Sequence, residues 1–223
     1  MRFFDELQAA TAAERTRLQT LPIIRDALAG RVSGAEYQAF LTQAYHHVKH
    51  TVPLLMACGA RLPERLGWLR GAVAEYIEEE IGHDEWILDD LATCGADREA
   101  VRRSQPAAAT ELMIAYAYDT IQRRNPVGFF GMVLVLEGTS KALALNAAAA
   151  LAQHLGVDRK GLRYLSSHGQ LDQEHVNFYE SLMNRLDDAD DRAAVIHAAR
   201  MFYGLYGAIF ESLRQPRVLA EAA

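Results

Sequence analysis

Three stretches of this chain carry side chains able to hold a metal ion. The first reads Glu78-Glu79-Glu80-Ile81-Gly82-His83-Asp84-Glu85-Trp86. Glu80 and His83 are three residues apart, so on a continuous helix both would reach one ion from one face. Helical-bundle iron and manganese sites use this Glu-x-x-His spacing. Taken alone, the segment reads equally well as an exposed acidic helix face with one histidine in it. The second stretch is Ser167-His168-Gly169-Gln170-Leu171-Asp172-Gln173-Glu174-His175. His168, Asp172 and His175 stand at i, i+4 and i+7, one stripe two turns long. Two imidazoles and a carboxylate are the ligand set favoured by non-haem Fe(II). A polar surface stripe would have the same composition. Tyr164, Leu171 and Phe178 flank it on one side, however, and Leu165 and Val176 on the other, which turns the stripe toward a bundle interior.

The third stretch is Phe129-Phe130-Gly131-Met132-Val133-Leu134-Val135-Leu136-Glu137-Gly138. Glu137 must lose its hydration when so apolar a helix packs, at a cost of several kcal/mol unless a cation or donors compensate. Lys141, at i+4, would make a structural partner; a metal would serve as well. Three helices offering hard ligands to one core are improbable as independent accidents. Glu80, His83, Glu137, His168, Asp172 and His175 are therefore the expected metal ligands, enough for one ion or two. A fourth element, Tyr45-His46-His47-Val48-Lys49-His50-Thr51, has an apolar face containing Phe40, Ala44, Val48 and Leu55. His46 and His50 share a second face with Ala39, Leu54 and Ala57. They read as a further ligand or hydrogen-bonding support for one, or as buried histidines bonded to backbone. Tyr45, Tyr179 and Trp86 read first as packing residues.

The elements that position these residues are helical. Alanine, leucine, glutamate and arginine fill the periodic segments, prolines fall at their ends, and no alternating strand pattern of useful length appears. The periodicity predicts helices near 3–19, 34–60, 64–93, 107–123, 126–154, 158–187 and 190–214, an all-α bundle of about seven helices in one domain spanning 1–223. Ser33 is the expected N-cap of the second, and Pro53 should kink or split it. Asn125-Pro126 should open the fifth and Gly156 should end it. Asp187, Asp188, Asp190 and Asp191 read as a solvated turn. Gly131 and Gly138 would permit a close approach to Glu137, by a packed helix more often than by a substrate.

Composition sets the function classes. The chain has 223 residues, half of them apolar, and a formal charge of −6. It shows no basic stripe, which argues against nucleic acid as a partner. Cys58 and Cys94 lack metal-type spacing and read as free thiols. The run Gly128 to Leu151 contains Glu137 and Lys141 and reads as a buried helix rather than a membrane span. The first residues lack a signal-peptide pattern. A cytoplasmic protein acting on a small molecule is expected, and homodimerisation is compatible with the architecture.

On Tyr45-His46…His50, Glu80-Ile81-Gly82-His83, Leu136-Glu137-Gly138 and His168-x-x-x-Asp172-x-x-His175, the sequence resembles the haem-oxygenase-like di-iron oxidases. It is nearest the branch of iron-containing redox enzymes, over about residues 35–187. The resemblance implies a seven-helix haem-oxygenase-like bundle holding non-haem iron, with O₂ as co-substrate and amines, amino acids or fatty acids as substrates. It implies the same six ligands. The early helix departs from it: some members place a glutamate ligand where this chain has His46, His47 and His50, which leaves one iron or two open, and manganese too. Three rivals remain. A thiaminase-like hydrolase of the same fold needs an activated cysteine, a cofactorless oxidase needs no metal, and an iron store or sensor needs no catalysis.

Overall fold

The computed structural model describes residues 2–214, apart from the side chains of Arg159 and of residues 168–175. Twelve α-helices occupy the described residues, with no strand among them. They are α1 (Phe3–Ala10), α2 (Ala12–Gln19), α3 (Pro22–Leu28), α4 (Gly34–Val48), α5 (Thr51–Arg61), α6 (Gly67–Glu80), α7 (His83–Thr93), α8 (Arg98–Arg103), α9 (Ala108–Arg123), α10 (Phe130–Leu155), α11 (Arg163–Met183) and α12 (Ala189–Ser212). The expected long helices are present but several are broken, for local reasons. The 34–60 stretch divides at Lys49–His50, not at Pro53. Pro53 instead sits in the first turn of α5, where a missing N–H costs nothing. The 64–93 stretch divides at Ile81–Gly82, because Gly82 adopts a left-handed φ of +88°. The short helices α3 and α8 lie in segments the periodicity read as loop.

Caps appear where short polar side chains precede helices. The Ser33 hydroxyl accepts from the Glu36 N–H at 3.2 Å, and the Ser33 N–H donates to Glu36 Oε2 at 2.7 Å, a reciprocal box that opens α4. Asn125 Oδ1 accepts from the Val127 N–H at 3.0 Å, opening the 3₁₀ turn before α10. Gly156, with φ +64°, ends α10. The 187–191 turn is only partly solvated. Asp188 caps α12, while Asp191 is buried and takes a bidentate grip from Arg65 at 2.7 and 3.1 Å, with Asn125 Nδ2 donating at 2.8 Å.

Helix α10 is the axis of the bundle, lying chiefly against α11 and α12 and also touching α3. Its first six residues are all buried, which accounts for an apolar composition without a polar face. At Gly131 the packing is close enough that a Cβ would stand 2.5 Å from the Ala199 nitrogen, so this glycine lets α10 and α12 touch. Gly138 has no such neighbour. Two helical stretches, Pro126–Leu155 and Ala189–Ser212, are long and apolar enough to cross a membrane by length and composition, and 61% of the most apolar window of the first is buried inside the bundle.

Candidate metal centre

Glu80 closes α6 and His83 opens α7, so the two belong to different helices joined by Ile81-Gly82. The helical spacing argument therefore fails in detail, yet the bend brings the groups together: His83 Nδ1 lies 3.1 Å from Glu80 Oε2. His83 is 2% exposed, and its ring lies 4.1 Å from that of Trp86, over which the Arg163 guanidinium also lies at 4.1 Å. A carboxylate against one imidazole nitrogen fixes the ring and directs the other nitrogen, the usual support of a metal-binding histidine.

Glu137 lies two turns into α10, and its charge acts on two buried phenols, Tyr76 and Tyr179. Burial first, and the Glu137 charge second, push the hydroxyls of Tyr76 and Tyr179 above their ordinary range, so both stay protonated beside the carboxylate. The Tyr179 hydroxyl donates to the Phe130 carbonyl at 2.8 Å, fixing α11 to the start of α10. Among the described residues no ion pair joins Glu137 to Lys141, so the structural partnership open in the sequence is not formed.

Glu137 faces a cavity of about 90 Å³ at the centre of the bundle. Its polar lining includes His47 from α4, Glu80 from α6, Glu137 and Ser140 from α10, Tyr164 from α11 and Tyr206 from α12. His47 is 2% exposed and meets the Tyr206 ring edge-on at 5.9 Å. His46 and His50 do not line this space. His46 Nε2 lies 2.9 Å from Ser104 Oγ and its Nδ1 3.3 Å from Lys49 Nζ, while His50 Nδ1 lies 3.0 Å from the Tyr118 hydroxyl. The pair chosen from helical spacing thus makes hydrogen bonds toward α8 and α9, and the histidine between them reaches the cavity. His47 stands three residues from Ala44 and seven from Phe40, on the face read as apolar. A lone histidine on the most apolar face was the signal available.

His168, Asp172 and His175 fall in α11 by backbone, and their side chains lie outside the described residues. Among the described residues no group of three or more His, Cys, Asp and Glu side chains is gathered closely enough to hold an ion. What the described residues provide is a carboxylate–imidazole pair, a second carboxylate and a further imidazole, carried on four helices around the core. Hard oxygen and nitrogen donors of this kind suit iron or manganese, and there is no thiolate among them.

The cysteines are elsewhere. Cys58 is fully buried with Sγ 3.5 Å from the Pro126 carbonyl, and burial pushes its thiol up to about 12. Cys94 is raised by burial first and by the Asp90 charge second. Neither lines the central cavity, and a raised thiol is a poor nucleophile.

The sequence profile of the family described as iron-containing redox enzymes matches residues 38–207. The chain belongs to that family. The match contains every residue placed around the central cavity. No curated protein sequence matches. Among solved structures, this chain is similar to a domain of unknown function with a heme oxygenase-like fold from Shewanella denitrificans (23% identity, 96% of this chain and 92% of that one, TM-score 0.85). It is also similar to a TenA homolog from Pseudomonas syringae pv. tomato (12% identity, 95% and 92%, TM-score 0.79) and to heme oxygenase from Leptospira interrogans (14%, 95% and 100%, TM-score 0.75). At these identities the likeness shows the fold, which is the all-α haem-oxygenase-like one.

Proposed function

We propose that this protein is an O₂-dependent, non-haem iron oxidoreductase acting on a small organic molecule. Glu80, His83, Glu137, His168, Asp172 and His175 hold one iron or two, or manganese in its place, and His47 is a further donor in place of His46 and His50. The observation that carries this reading is the convergence of Glu80, Glu137 and His47 from three helices on one core cavity, in a chain of the iron-containing redox enzyme family. Two carboxylates beside one buried space repel each other, and a divalent cation between them turns that repulsion into attraction.

Iron(II) bound there supplies the one-electron chemistry that lets O₂ react with an organic substrate. The chain's own residues do the rest. Glu80 orients the His83 ring through its Nδ1 contact. Tyr76 and Tyr179 keep their protons within the field of Glu137, Tyr179 donating its own to the Phe130 carbonyl. Tyr206 holds the His47 ring edge-on, and the apolar walls from α5 and α10 exclude water from the reacting groups. The raised thiols of Cys58 and Cys94 argue against the hydrolase of the same fold, whose chemistry needs an activated cysteine. A cytoplasmic location and a small-molecule partner accompany the proposal.

The test is anaerobic loading with Fe(II), metal analysis per chain, and an O₂ pulse followed by absorbance. Tight iron, a transient visible band and O₂ consumption are the expected results, with Glu137→Gln lowering the iron content. A folded chain that retains no iron overturns the reading and returns the question to the metal-free relatives. Iron retained without O₂ consumption makes the protein a store or sensor.

A further inference from the structure

A second cavity, of about 110 Å³, lies between α3, α4, α10 and α12. Ile24, Leu28, Leu143, Ala147 and Leu151 stand in walls that are almost wholly aliphatic and aromatic. Close-packed folds seldom leave an apolar space that admits more than one water-sized body, so this chamber calls for an occupant. Water is a poor one, because it needs several polar partners. The Tyr37 hydroxyl is spent on the Gly161 carbonyl at 2.9 Å, and Glu36 is held by Ser33 and, at 2.6 Å, by Arg214. Thr139 and Ser140 add two small hydroxyls. Leu28, Leu143 and Ala147 are half-buried, and there the chamber meets solvent.

The chamber abuts the central cavity, for Ser140, Tyr164 and Tyr206 line both. These side chains form a partition, and its rings are held in place. Phe210 meets Tyr206 edge-on at 4.9 Å from the chamber, and His47 meets it edge-on at 5.9 Å from the central cavity. Phe40, another chamber residue, lies 6.5 Å from the Tyr164 ring, and the Tyr164 N–H donates to Asp90 at 2.8 Å. An alkyl chain reaches both spaces only by displacing these rings. A diatomic molecule passes between them during ordinary side-chain fluctuation.

We propose that the apolar chamber is a binding site for dioxygen, from which the gas crosses the Tyr164–Tyr206 partition to the central cavity. Dioxygen is uncharged and apolar, so it gains by leaving water for such walls. Apolar cavities of this order of size stay dry and take up gases such as xenon. A two-atom ligand is held no more tightly than the millimolar range, so the chamber fills and empties quickly and raises the local supply without trapping it. The use made of the gas rests on the oxidoreductase reading; its binding needs no iron.

Dissolved O₂ is paramagnetic and speeds the NMR relaxation of methyl groups it touches, which tests the site in the iron-free full chain. Under oxygen pressure, relative to nitrogen, the buried Ile24 and Leu151 methyls should be enhanced about threefold more than those of Leu41 and Leu88, which are buried away from both cavities. Ala147→Phe, which fills the chamber, should bring Ile24 and Leu151 down to the level of the core. Loaded anaerobically with Fe(II), the same variant should keep its iron and react with O₂ about threefold more slowly, or worse. Leu28→Trp, from the α3 wall, decides both points if Ala147→Phe does not fold. Titration with n-hexanol probes the chamber as an alkyl site. Three results would each overturn the proposal: no excess enhancement at Ile24 and Leu151, n-hexanol bound there with micromolar affinity, or an undiminished O₂ reaction in a filled, iron-replete variant. Dioxygen in the chamber of a chain that retains no iron would uphold the binding and sink the oxidoreductase reading. Iron retained and O₂ consumed without enhancement in the chamber would do the reverse.

Discussion

Replacing Asp90 by asparagine should flatten the dependence of this protein's stability on pH. Asp90 is fully buried in α7. Its Oδ2 accepts the Tyr164 N–H at 2.8 Å in the first turn of α11, and its Oδ1 has no hydrogen-bond partner among the described residues. Burial pushes the carboxyl up from 3.8 to about 6, and the backbone N–H groups of Tyr164 and Arg163 offset this only in part. The folded chain therefore holds a proton on Asp90 in a pH range where the unfolded chain has released it. Stability from this group is complete below the unfolded value and is lost as pH rises to about 6, a change of about 3 kcal/mol. Asparagine keeps a carbonyl oxygen for the Tyr164 N–H and carries no charge at any pH. Placing its NH₂ where Oδ1 has no partner costs roughly 1–3 kcal/mol, but equally at every pH. The difference in stability between Asp90→Asn and the parent should thus shift in favour of the variant by up to about 3 kcal/mol between pH 4 and pH 8. Urea unfolding followed by circular dichroism across that range measures it, and other titrating groups cancel in the difference. Parallel curves for the two proteins would refute the argument, since they would mean that the carboxylate ionises in the fold without penalty. Asp90 also ties α7, which begins at His83, to the helix carrying His168, Asp172 and His175. The asparagine variant should keep its iron content, and Asp90→Ala, which removes the acceptor, should lower it.

Two glycines give further tests. Gly131→Ala should lower stability by roughly 1–3 kcal/mol, because the added methyl would meet the Ala199 nitrogen at 2.5 Å and the Val195 carbonyl oxygen at 2.9 Å. An unchanged melting temperature would show that α10 and α12 separate at no cost. Gly82→Ala should cost roughly 1–2 kcal/mol for its left-handed backbone, although open space surrounds the position, and Gly82→Asn should cost less. The alanine variant should also weaken Fe(II) binding as Glu80 and His83 drift apart; unaltered iron affinity would show that the bend does not set that pair.

Helix content was legible in the sequence because long periodic segments with good caps fold as their pattern dictates. The breaks were not, since they arise from single backbone positions. Nothing in composition announces that Gly82 takes φ +88° rather than continuing a helix. Pro53 misled in the opposite sense: its ring blocks a helix only after the first turn, and the chain had already stopped at Lys49–His50. The aspartates of 187–191 read as solvated because charge alone was visible. The Arg65 and Asn125 partners of Asp191 come from 126 and 66 residues away in sequence.

The candidate site was legible where chemistry and burial coincide, and blurred where geometry decides. Glu137 could be named because a carboxylate amid Val133, Leu134, Val135 and Leu136 has nowhere apolar to hide. Glu80 and His83 do meet, at 3.1 Å, although for a different reason from the helical spacing that suggested it. In α4 the reasoning had least purchase. Residues 41–48 are all buried, so every face of that turn is an inner face and periodicity cannot say which histidine looks at the core. His46 and His50 were named from a shared face; His46 lies against Ser104, just after α8, and His50 against Tyr118 of α9. His47 is selected by what lies opposite it, Tyr206 and the cavity shared with Glu80 and Glu137. Selection of that kind depends on pairs distant in sequence, and the same holds for the apolar chamber. Its walls come from α3, α4, α10 and α12, each helix contributing side chains that alone read as ordinary core. Only their arrangement in the fold makes them the walls of a cavity.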